Sequence, residues 1–246
     1  MKLMIASDVH GSAHFGRLLL DALDRERADR LLLLGDLLYH GPRNDLPQGY
    51  DPKALTAMLN DARGRLLCVR GNCDAEVDQM VLQFPILADY CVLPCGERLI
   101  YATHGHVYNL QQLPPLQPGD ILLHGHTHVP AWTPFGDGNL YLNPGSVSLP
   151  KEGSHHGYMT LEGGVCLWKT LEGEEYNVSR YNPSSVCPFG KLMREFRCAP
   201  RLAPPQAAGL RHSACAQGVF CDVHAAAKNG FQLIRSLRAM NSVRLF

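Results

Sequence analysis

The sequence predicts an α/β fold in which two β-sheets pack face to face with helices outside them. In the first part of the chain, short apolar runs alternate with helical patterns, which is typical of parallel βαβ units. In the second part, apolar runs are paired across turns that contain glycine, which is typical of antiparallel hairpins. The 246 residues, 46% of them hydrophobic, are enough to build a sizeable core.

The βαβ part begins at the N-terminus. Between the first two apolar runs, apolar residues at helical spacing predict an amphipathic helix over His14–Arg27. Pro52 suits the first turn of a second helix, which continues over Lys53–Ala62. Strands joined by such helices are expected to be parallel, with right-handed connections. The predicted strands are Lys2–Ser7, Arg30–Leu34 and Leu66–Val69.

The part that follows is predicted to be mostly antiparallel. Glu76–Leu82 predicts a helical turn, and Asp120–Leu123 predicts another buried strand. Three hairpins are predicted around turns that contain glycine, the first of them Pro94–Glu97. Their strand pairs are Asp89–Leu93 with Arg98–Ala102, Ala131–Phe135 with Asn139–Asn143, and Gly157–Leu161 with Val165–Thr170.

The chain changes character near residue 180. Residues 180–246 contain ten Lys and Arg but two acidic residues, a net charge of +8, so residues 1–179 carry −8. Five prolines and scattered cysteines leave no sustained periodicity before Phe231–Phe246, a stretch whose spacing fits a short basic amphipathic helix. We therefore divide the chain into a domain of residues 1–179 and a basic extension of residues 180–246, which is expected to be largely disordered and dispensable for the folding and activity of the domain. An arm that contacts nucleic acid or a membrane would carry the same charge, but the disordered extension is the interpretation we favour.

The sequence carries no membrane signal. No apolar run reaches the ~18 residues that a transmembrane helix needs, and the apolar start, Met1–Ser7, is too short for a signal peptide. Nine cysteines, an odd number without framework spacing, favour reduced thiols. We therefore expect a cytoplasmic protein that does not bind membranes.

Five turns, each at the end of an apolar run, contain oxygen and nitrogen donors. Because ligand sites in open α/β sheets form at the carboxyl ends of strands, these turns are expected to converge on one metal site. A pair of divalent ions ~3.5–4 Å apart needs such a set, with one carboxylate bridging them. Oxygen and nitrogen donors favour Mn, Fe or Zn over a soft-metal site. The donors are Asp8, His10, Asp36, Asn72, His104, His126 and His128.

Simpler explanations exist for each donor taken alone. A single Asp or His after a strand is more often a helix cap or a solvated loop residue, and Asp8 could cap the helix that follows it. Five such turns in this order are hard to explain that way.

The order of these donors resembles the calcineurin-like metallophosphoesterases. More narrowly, the chain resembles the YfcE-type bacterial phosphodiesterases, and the likeness covers roughly residues 1–178. It implies a four-layer αββα sandwich, with two mixed β-sheets flanked by helices, and a two-metal site usually active with Mn²⁺. The matching stretches are Asp8-x-His10, Gly35-Asp36, Gly71-Asn72-x-Asp74, His104-Gly105, Gly125-His126-x-His128 and Asn143-Pro144-Gly145-Ser146.

The resemblance also implies roles for the donors. It implies hydrolysis of a small phosphodiester by hydroxide that two metal ions activate. Asp36 would bridge the ions. The first ion would be held by Asp8, His10 and His128, and the second by Asn72, His104 and His126.

Cys73, which with Asn72 is a candidate catalytic residue, departs from the wider family. That family usually has His at this position, where it contacts the phosphate or protonates the leaving group. Imidazolium is a cation with a proton to give near pH 7, whereas a thiol of pKa ~8.5 is neutral and a weak donor. We therefore expect a preference for leaving groups that are stable as anions, such as aryl groups. A small buried packing residue is an equal alternative for Cys73.

Four further residues near these turns are candidates for supporting roles. Arg43 and Asn44 lie in the loop between two metal turns and are candidate substrate contacts, although a solvated loop explains Arg43 equally well. Asp74 and His106 are candidates for partners that orient a ligand imidazole.

Other functions share this fold or these metals. A retromer subunit that resembles this fold serves as a protein-binding scaffold with a degraded metal site, whereas all seven ligand positions are intact here. A phosphomonoesterase or a nuclease would use the same metals. The charge of −8 in residues 1–179 argues against nucleic acid as the substrate, because basic side chains drive phosphate-backbone binding. A homo-oligomer is left open.

Overall fold

The computed structural model describes residues 1–181, so the predicted basic extension lies almost wholly outside the described residues. The elements in chain order are β1 (Leu3–Ala6), α1 (Ala13–Arg25), β2 (Arg30–Leu33), α2 (Pro52–Ala62) with a 3₁₀ turn at Arg63–Arg65, β3 (Leu66–Cys68), α3 (Glu76–Val81), β4 (Tyr90–Cys95), β5 (Arg98–Thr103), β6 (Ile121–His124), β7 (Ala131–Phe135), β8 (Asn139–Asn143), β9 (Gly157–Glu162), β10 (Val165–Thr170) and β11 (Glu175–Arg180).

The strands form two mixed sheets. The first has the order β11-β10-β9-β1-β2-β3, in which β1, β2 and β3 are parallel and the other neighbours antiparallel. The second has the order β4-β5-β6-β8-β7, in which β5, β6 and β8 are parallel and the two outer strands antiparallel. The predicted class, two mixed sheets with helices, is confirmed.

Strand β1 shows how the layers pack. Leu3 and Ile5 enter a hydrophobic core shared by both sheets, whereas Met4 and Ala6 enter a second core with the helices. All four residues are buried, because side chains alternate between the two faces of a strand and both faces of this sheet are covered.

The helix layer lies on the first sheet. Helix α1 begins at Ala13 because the Ser12 hydroxyl accepts a hydrogen bond from the Phe15 amide, at 3.1 Å. Its buried face, which includes Phe15 and Leu19, packs in the same core as Leu55 and Leu59. No helix occurs between β5 and β8, and an irregular loop over residues 104–120 joins β5 to β6. None of the described helices is long and apolar enough to cross a membrane.

The structure differs from the predicted elements at β11. This strand pairs with β10 and ends at Arg180, and Tyr181 beyond it is 8% exposed in the core between the sheets. Arg180 and Tyr181, which the sequence assigns to the extension, therefore pack with the domain. Its alternating polar and partly buried residues gave a weak strand signal, as is usual at a sheet edge.

The first hairpin also differs. Strand β4 continues through Pro94 and Cys95, so the turn is Gly96-Glu97 rather than Pro94–Glu97. Proline has no backbone N–H group to donate, and it is tolerated here because β4 is the outer strand of its sheet, with a neighbouring strand on one side only.

Candidate metal centre

The predicted donors meet where strands of the two sheets end. The turns after β1, β2 and β3 come from the first sheet, and those after β5 and β6 come from the second. Contacts between the sheets are direct: the His104 Nε2 atom lies 3.0 Å from the Asn72 Oδ1 atom. The structure thus brings all five turns together, as the positions of the strand ends predict.

One group of donors surrounds Asp8. The His10 Nε2 and His128 Nε2 atoms are 3.2 Å apart. The Asp8 Oδ1 atom lies 3.5 Å from His10 Nε2 and 3.3 Å from His128 Nε2. All three side chains are buried. We call these three residues the first donor set.

A second group surrounds His104. Its Nε2 atom is 3.0 Å from both Asn72 Oδ1 and His126 Nδ1. We call these three residues the second donor set. The Asp36 Oδ2 atom lies 3.5 Å from His104 Nε2 and 3.7 Å from His10 Nε2, so this carboxylate stands between the two sets.

Backbone carbonyls fix the direction of three imidazoles. The Nδ1–H groups of His10, His104 and His128 donate to carbonyls at 2.9, 2.7 and 2.6 Å, respectively. The Nε2 atoms are therefore left to face the site. The accepting carbonyls belong to Tyr39, Leu34 and Leu149, respectively. Sequence spacing gave no sign of these three residues, because they act through their backbone.

The acceptor atoms of the first donor set need a positive charge between them. With Nδ1 donating, the neutral imidazoles of His10 and His128 present bare Nε2 acceptors to each other and to the Asp8 carboxylate. The buried Asp8 Oδ1 atom has no hydrogen-bond partner, which is costly for a carboxylate oxygen. A cation among these three acceptors would satisfy all of them. The donor set therefore fits a divalent metal ion.

The backbone at the donors is unusual. Seven non-glycine residues in the described part have positive φ angles, and five of them are predicted ligands. Left-handed backbone costs a non-glycine residue about 1–3 kcal/mol and is enriched at functional sites. The five are Asp8, His10, Asp36, His126 and His128, with φ between 49° and 66°.

Two glycines let the turns after β2 and β3 touch. A Cβ atom on Gly71 would lie 2.1 Å from Asp36 Oδ1, and one on Gly35, where φ is +95°, would lie 2.3 Å from the Gly71 nitrogen. Both distances are far below van der Waals contact, so only glycine fits. The close approach places Asp36 beside the turn that contains Asn72.

Asp74 joins the same two turns. Its carboxylate accepts hydrogen bonds from the backbone amides of Asp36, Leu37 and Gly71 at 2.7–2.9 Å. Asp74 therefore positions turn backbone and does not orient an imidazole as predicted. The His106 ring lies 5.4 Å from the His104 ring, centroid to centroid.

The turn after β8 anchors Asp8. The hydroxyls of Ser146 and Ser148 donate to the Asp8 carbonyl at 2.9 and 3.1 Å, and the Val147 amide donates to the Ser7 carbonyl. The stretch Asn143–Ser148 thus acts on the first donor set through backbone contacts, a role that its spacing alone did not reveal.

The charges of the site are coupled. Burial would raise the pKa of Asp8, but His10 and His128 outweigh it and hold that pKa well below its usual range. Burial would lower the pKa of His104, but Asp36 and Asp8 raise it to about 9. Burial and then the nearby His104 lower the pKa of His126 to about 4. The carboxylates thus stay ionised and attract positive charge.

Residues 1–163 match the calcineurin-like phosphoesterase superfamily domain. The chain belongs to this family. The phosphodiesterase YfcE of Escherichia coli strain K12 is 44% identical over 165 residues, which cover 67% of this chain and 89% of YfcE. The probable metallophosphoesterase YsnB of Bacillus subtilis is 30% identical over 121 residues, 46% of this chain and 62% of YsnB.

Solved structures agree with this assignment. That of YfcE, described as a phosphoesterase from E. coli, has a TM-score of 0.71 and 40% identity and covers 74% of this chain and 100% of that chain. A Vps29 variant from Entamoeba histolytica has a TM-score of 0.50 and 23% identity over 74% of this chain and 100% of its own, which shows the fold alone. The predicted resemblance is confirmed.

A cavity of about 510 Å³ opens above the donors of this phosphoesterase. Arg43 and Asn44, the candidate substrate contacts, line this cavity. Lys151 and Thr127 line it too, although no spacing signal singled them out. The backbone amide of Lys151 donates to the His128 carbonyl at 3.2 Å, which places this residue beside the turn that carries His128.

Cys73 also lines the cavity and is half-buried. Its backbone amide donates to Asp36 Oδ1 at 2.8 Å, and its Sγ atom accepts a hydrogen bond from the side-chain amide (Nδ2) of Asn72 at 3.2 Å. Burial and the negative charge of Asp36 raise the pKa of the thiol far above its usual value. Burial and the Asp36 carboxylate thus both favour the neutral thiol over the thiolate.

Proposed function

We propose that this chain is a metal-dependent phosphodiesterase that hydrolyses small phosphodiesters. The observation that carries the proposal is the pair of adjoining donor sets with Asp36 between them, below an open cavity. The identity with YfcE, named a phosphodiesterase, supports the same conclusion.

We assign the first ion to Asp8, His10 and His128, the second to Asn72, His104 and His126, and the bridging position to Asp36. Support comes from the short distances inside each set and from the position of Asp36 between them. Mn²⁺ is the ion we propose, because oxygen and nitrogen donors and a bridging carboxylate suit it; Fe and Zn suit the same donors.

Two divalent ions, when bound, supply a nucleophile at neutral pH by lowering the pKa of a bound water, and they neutralise charge on the phosphate. The chain's own residues bind and orient the substrate. Arg43 and Lys151 line the cavity as cations and attract the phosphodiester. We assign the catalytic roles to Asn72 and Cys73, and their place in the lining of the same cavity supports this assignment.

Cys73 is a poor general acid for protonating the leaving group. The thiol of Cys73 holds its proton firmly, since burial and Asp36 raise its pKa, and a thiol is a weak hydrogen-bond donor. A leaving group that is stable as an anion needs no proton as it departs. We therefore propose that aryl phosphodiesters are cleaved far faster than alkyl ones.

A rate comparison on the full chain tests the proposal. Hydrolysis of a bis-aryl phosphate should require added Mn²⁺ and should exceed hydrolysis of the matching aryl phosphomonoester. Across a series of diesters, the rate should fall steeply as the pKa of the leaving group rises, and Cys73→His should flatten that slope. No metal-dependent hydrolysis would refute the enzyme and favour a protein-binding scaffold. A faster monoester rate would make the chain a phosphomonoesterase.

We also propose that the protein works in the cytoplasm with reduced thiols. The five cysteines of the described part are all free, namely Cys68, Cys73, Cys91, Cys95 and Cys166. Cell fractionation tests this, and recovery of the protein outside the cytoplasm would contradict it.

A further inference from the structure

We infer that Cys73, His10 and Asp36 form an alternative, sulfur-containing position for thiophilic ions such as Zn²⁺ and Co²⁺, and that an ion there inhibits the enzyme. The inference deepens the proposed function, on which it rests, because the position overlaps the proposed catalytic site. No ligand in the assignment above is a thiol, so this position is an addition to it.

The geometry joins the three side chains. One donor atom from each of His10, Asp36 and Cys73 lies within 4.8 Å of the other two. The hydrogen bond from the Cys73 amide to Asp36 Oδ1, at 2.8 Å, holds the cysteine next to this carboxylate. His10 Nε2 lies 3.7 Å from Asp36 Oδ2. Three different ligand types thus converge at one place, where Asp36 and Cys73 line the cavity and His10 is buried beside them.

Cys73 is not a packing residue. It belongs to neither hydrophobic core of the described part and lines the open cavity. The neighbouring loop leaves room for its sulfur through a glycine: a Cβ atom on Gly41 would lie 3.1 Å from Sγ, tighter than ordinary contact. An ion that enters the cavity can therefore reach the sulfur.

Ligand chemistry decides which ions choose this position. Zinc binds thiolate, imidazole and carboxylate at about 2.0–2.3 Å and takes a fourth ligand from solvent or substrate. Thiolate favours soft and borderline ions, whereas Mn²⁺ prefers oxygen donors. As the metal–sulfur bond forms, the S–H bond breaks and the proton passes to solvent. Zn²⁺ and Co²⁺ therefore gain from Cys73, and Mn²⁺ does not.

The alternative position and the first catalytic position exclude each other. His10 Nε2 has one lone pair and can bind one ion at a time. In the first donor set it faces His128 Nε2 at 3.2 Å and Asp8 Oδ1 at 3.5 Å. An ion held with Cys73 withdraws His10 from that set and Asp36 from its place between the sets. Such an ion therefore inhibits hydrolysis.

Co²⁺ titration of the metal-free, reduced full chain tests the inference. A cobalt–thiolate bond adds a near-ultraviolet charge-transfer band, whereas oxygen and nitrogen donors give visible ligand-field bands alone. We expect Cys73→Ser to lose the charge-transfer intensity that one cobalt–thiolate bond contributes, and to bind Zn²⁺ at least ~10-fold more weakly than the wild type does. It should retain the visible bands, which also report that the site is folded. Cys91→Ser is the matched control, since this half-buried cysteine lies outside the cavity, and should match the wild type.

Each outcome is decisive. If Cys73→Ser keeps the full charge-transfer band, the sulfur ligand lies elsewhere and the inference fails, while Mn²⁺-dependent hydrolysis still supports the proposed function. If the wild type shows visible bands without a charge-transfer band, the inference fails in the same way. If no Co²⁺ binds at all, the proposed function fails with it. Zn²⁺ inhibition that persists in Cys73→Ser would also overturn the inference.

Discussion

Glu26 ties the end of α1 to the first sheet and provides the sharpest test of the fold's electrostatics. Its carboxylate accepts hydrogen bonds from Lys2 Nζ at 2.6 Å, Lys169 Nζ at 2.9 Å and the Tyr158 hydroxyl at 2.9 Å. The Glu26 side chain is 8% exposed. The perturbation is Glu26→Gln, which keeps the size of the side chain but removes the charge that both lysines need.

The pKa of Glu26 sets the magnitude. Burial would raise that pKa, but Lys2, Lys169 and Tyr158 lower it from 4.5 to about 2. At about 1.4 kcal/mol per pH unit, this lowering corresponds to about 3 kcal/mol of folding free energy. Because the folded-state pKa is depressed, the stabilisation is complete above about pH 4.5 and is lost as the pH falls towards 2.

Urea unfolding of both proteins at pH 7, 5 and 3 measures this effect. We expect Glu26→Gln to lower the free energy of unfolding by about 2–3 kcal/mol at pH 7 and 5, and by clearly less at pH 3. Glu175→Gln is the control, since Glu175 contacts the same lysine at 3.2 Å but is 55% exposed. It should cost under ~1 kcal/mol. A deficit for Glu26→Gln that stays constant with pH, or that equals the control, would refute the reasoning.

Three further changes test the site and the domain. Asp74→Asn presents an N–H group to backbone donors, so it should weaken Mn²⁺ binding ~10–100-fold, as measured by calorimetry. Asp78→Asn is the control, because the Asp78 carboxylate caps α3 through the Ala75 amide and should not affect the metal site. Equal Mn²⁺ affinities of the two variants would contradict the role of Asp74. Lys151→Ala should raise the KM for a diester about tenfold, the equivalent of ~1.4 kcal/mol, and an unchanged KM would remove Lys151 from substrate binding. Truncation after Tyr181 should leave the urea midpoint of unfolding unchanged. Truncation after Ser179 should lower the free energy of unfolding by at least ~2 kcal/mol, because it removes a buried tyrosine. Equal midpoints for the two truncations would show that Tyr181 does not stabilise the domain.

The predictable part of the site follows from strand ends. A buried apolar run followed by Asp, Asn or His is visible in the sequence, and the parallel strands place those residues at shared edges. His10, Asp36 and Asn72 were found this way. The orientation of each imidazole could not be predicted, because it is set by backbone carbonyls such as that of Leu149. Every residue type has such a carbonyl, so the sequence does not mark the ones that bind. Lys151 could not be predicted either, because the cavity that it lines is formed by loops that are distant from it in the sequence.

The same distinction explains β11. Strands buried on both faces, such as β1, form continuous apolar runs, whereas the outer strand β11 is partly polar on both faces and resembles a loop. Its anchor is Tyr181, which lies beyond the strand and is buried between the sheets. A single aromatic residue carries no periodic signal, so only the tertiary structure shows that Tyr181 packs with this domain.

The backbone of the donor turns bears on how the site is assembled. Left-handed angles at Asp8, Asp36 and three histidines cost energy, and they persist only where surrounding contacts hold them. Those contacts belong to the protein: the glycine approach of the turns after β2 and β3, the three amides bound by Asp74, and the serine hydroxyls on the Asp8 carbonyl. These contacts within the chain therefore offset the cost of the left-handed backbone at the donors. A substitution that removes one of them, such as Asp74→Asn, is thus expected to disturb the donors without changing a donor side chain.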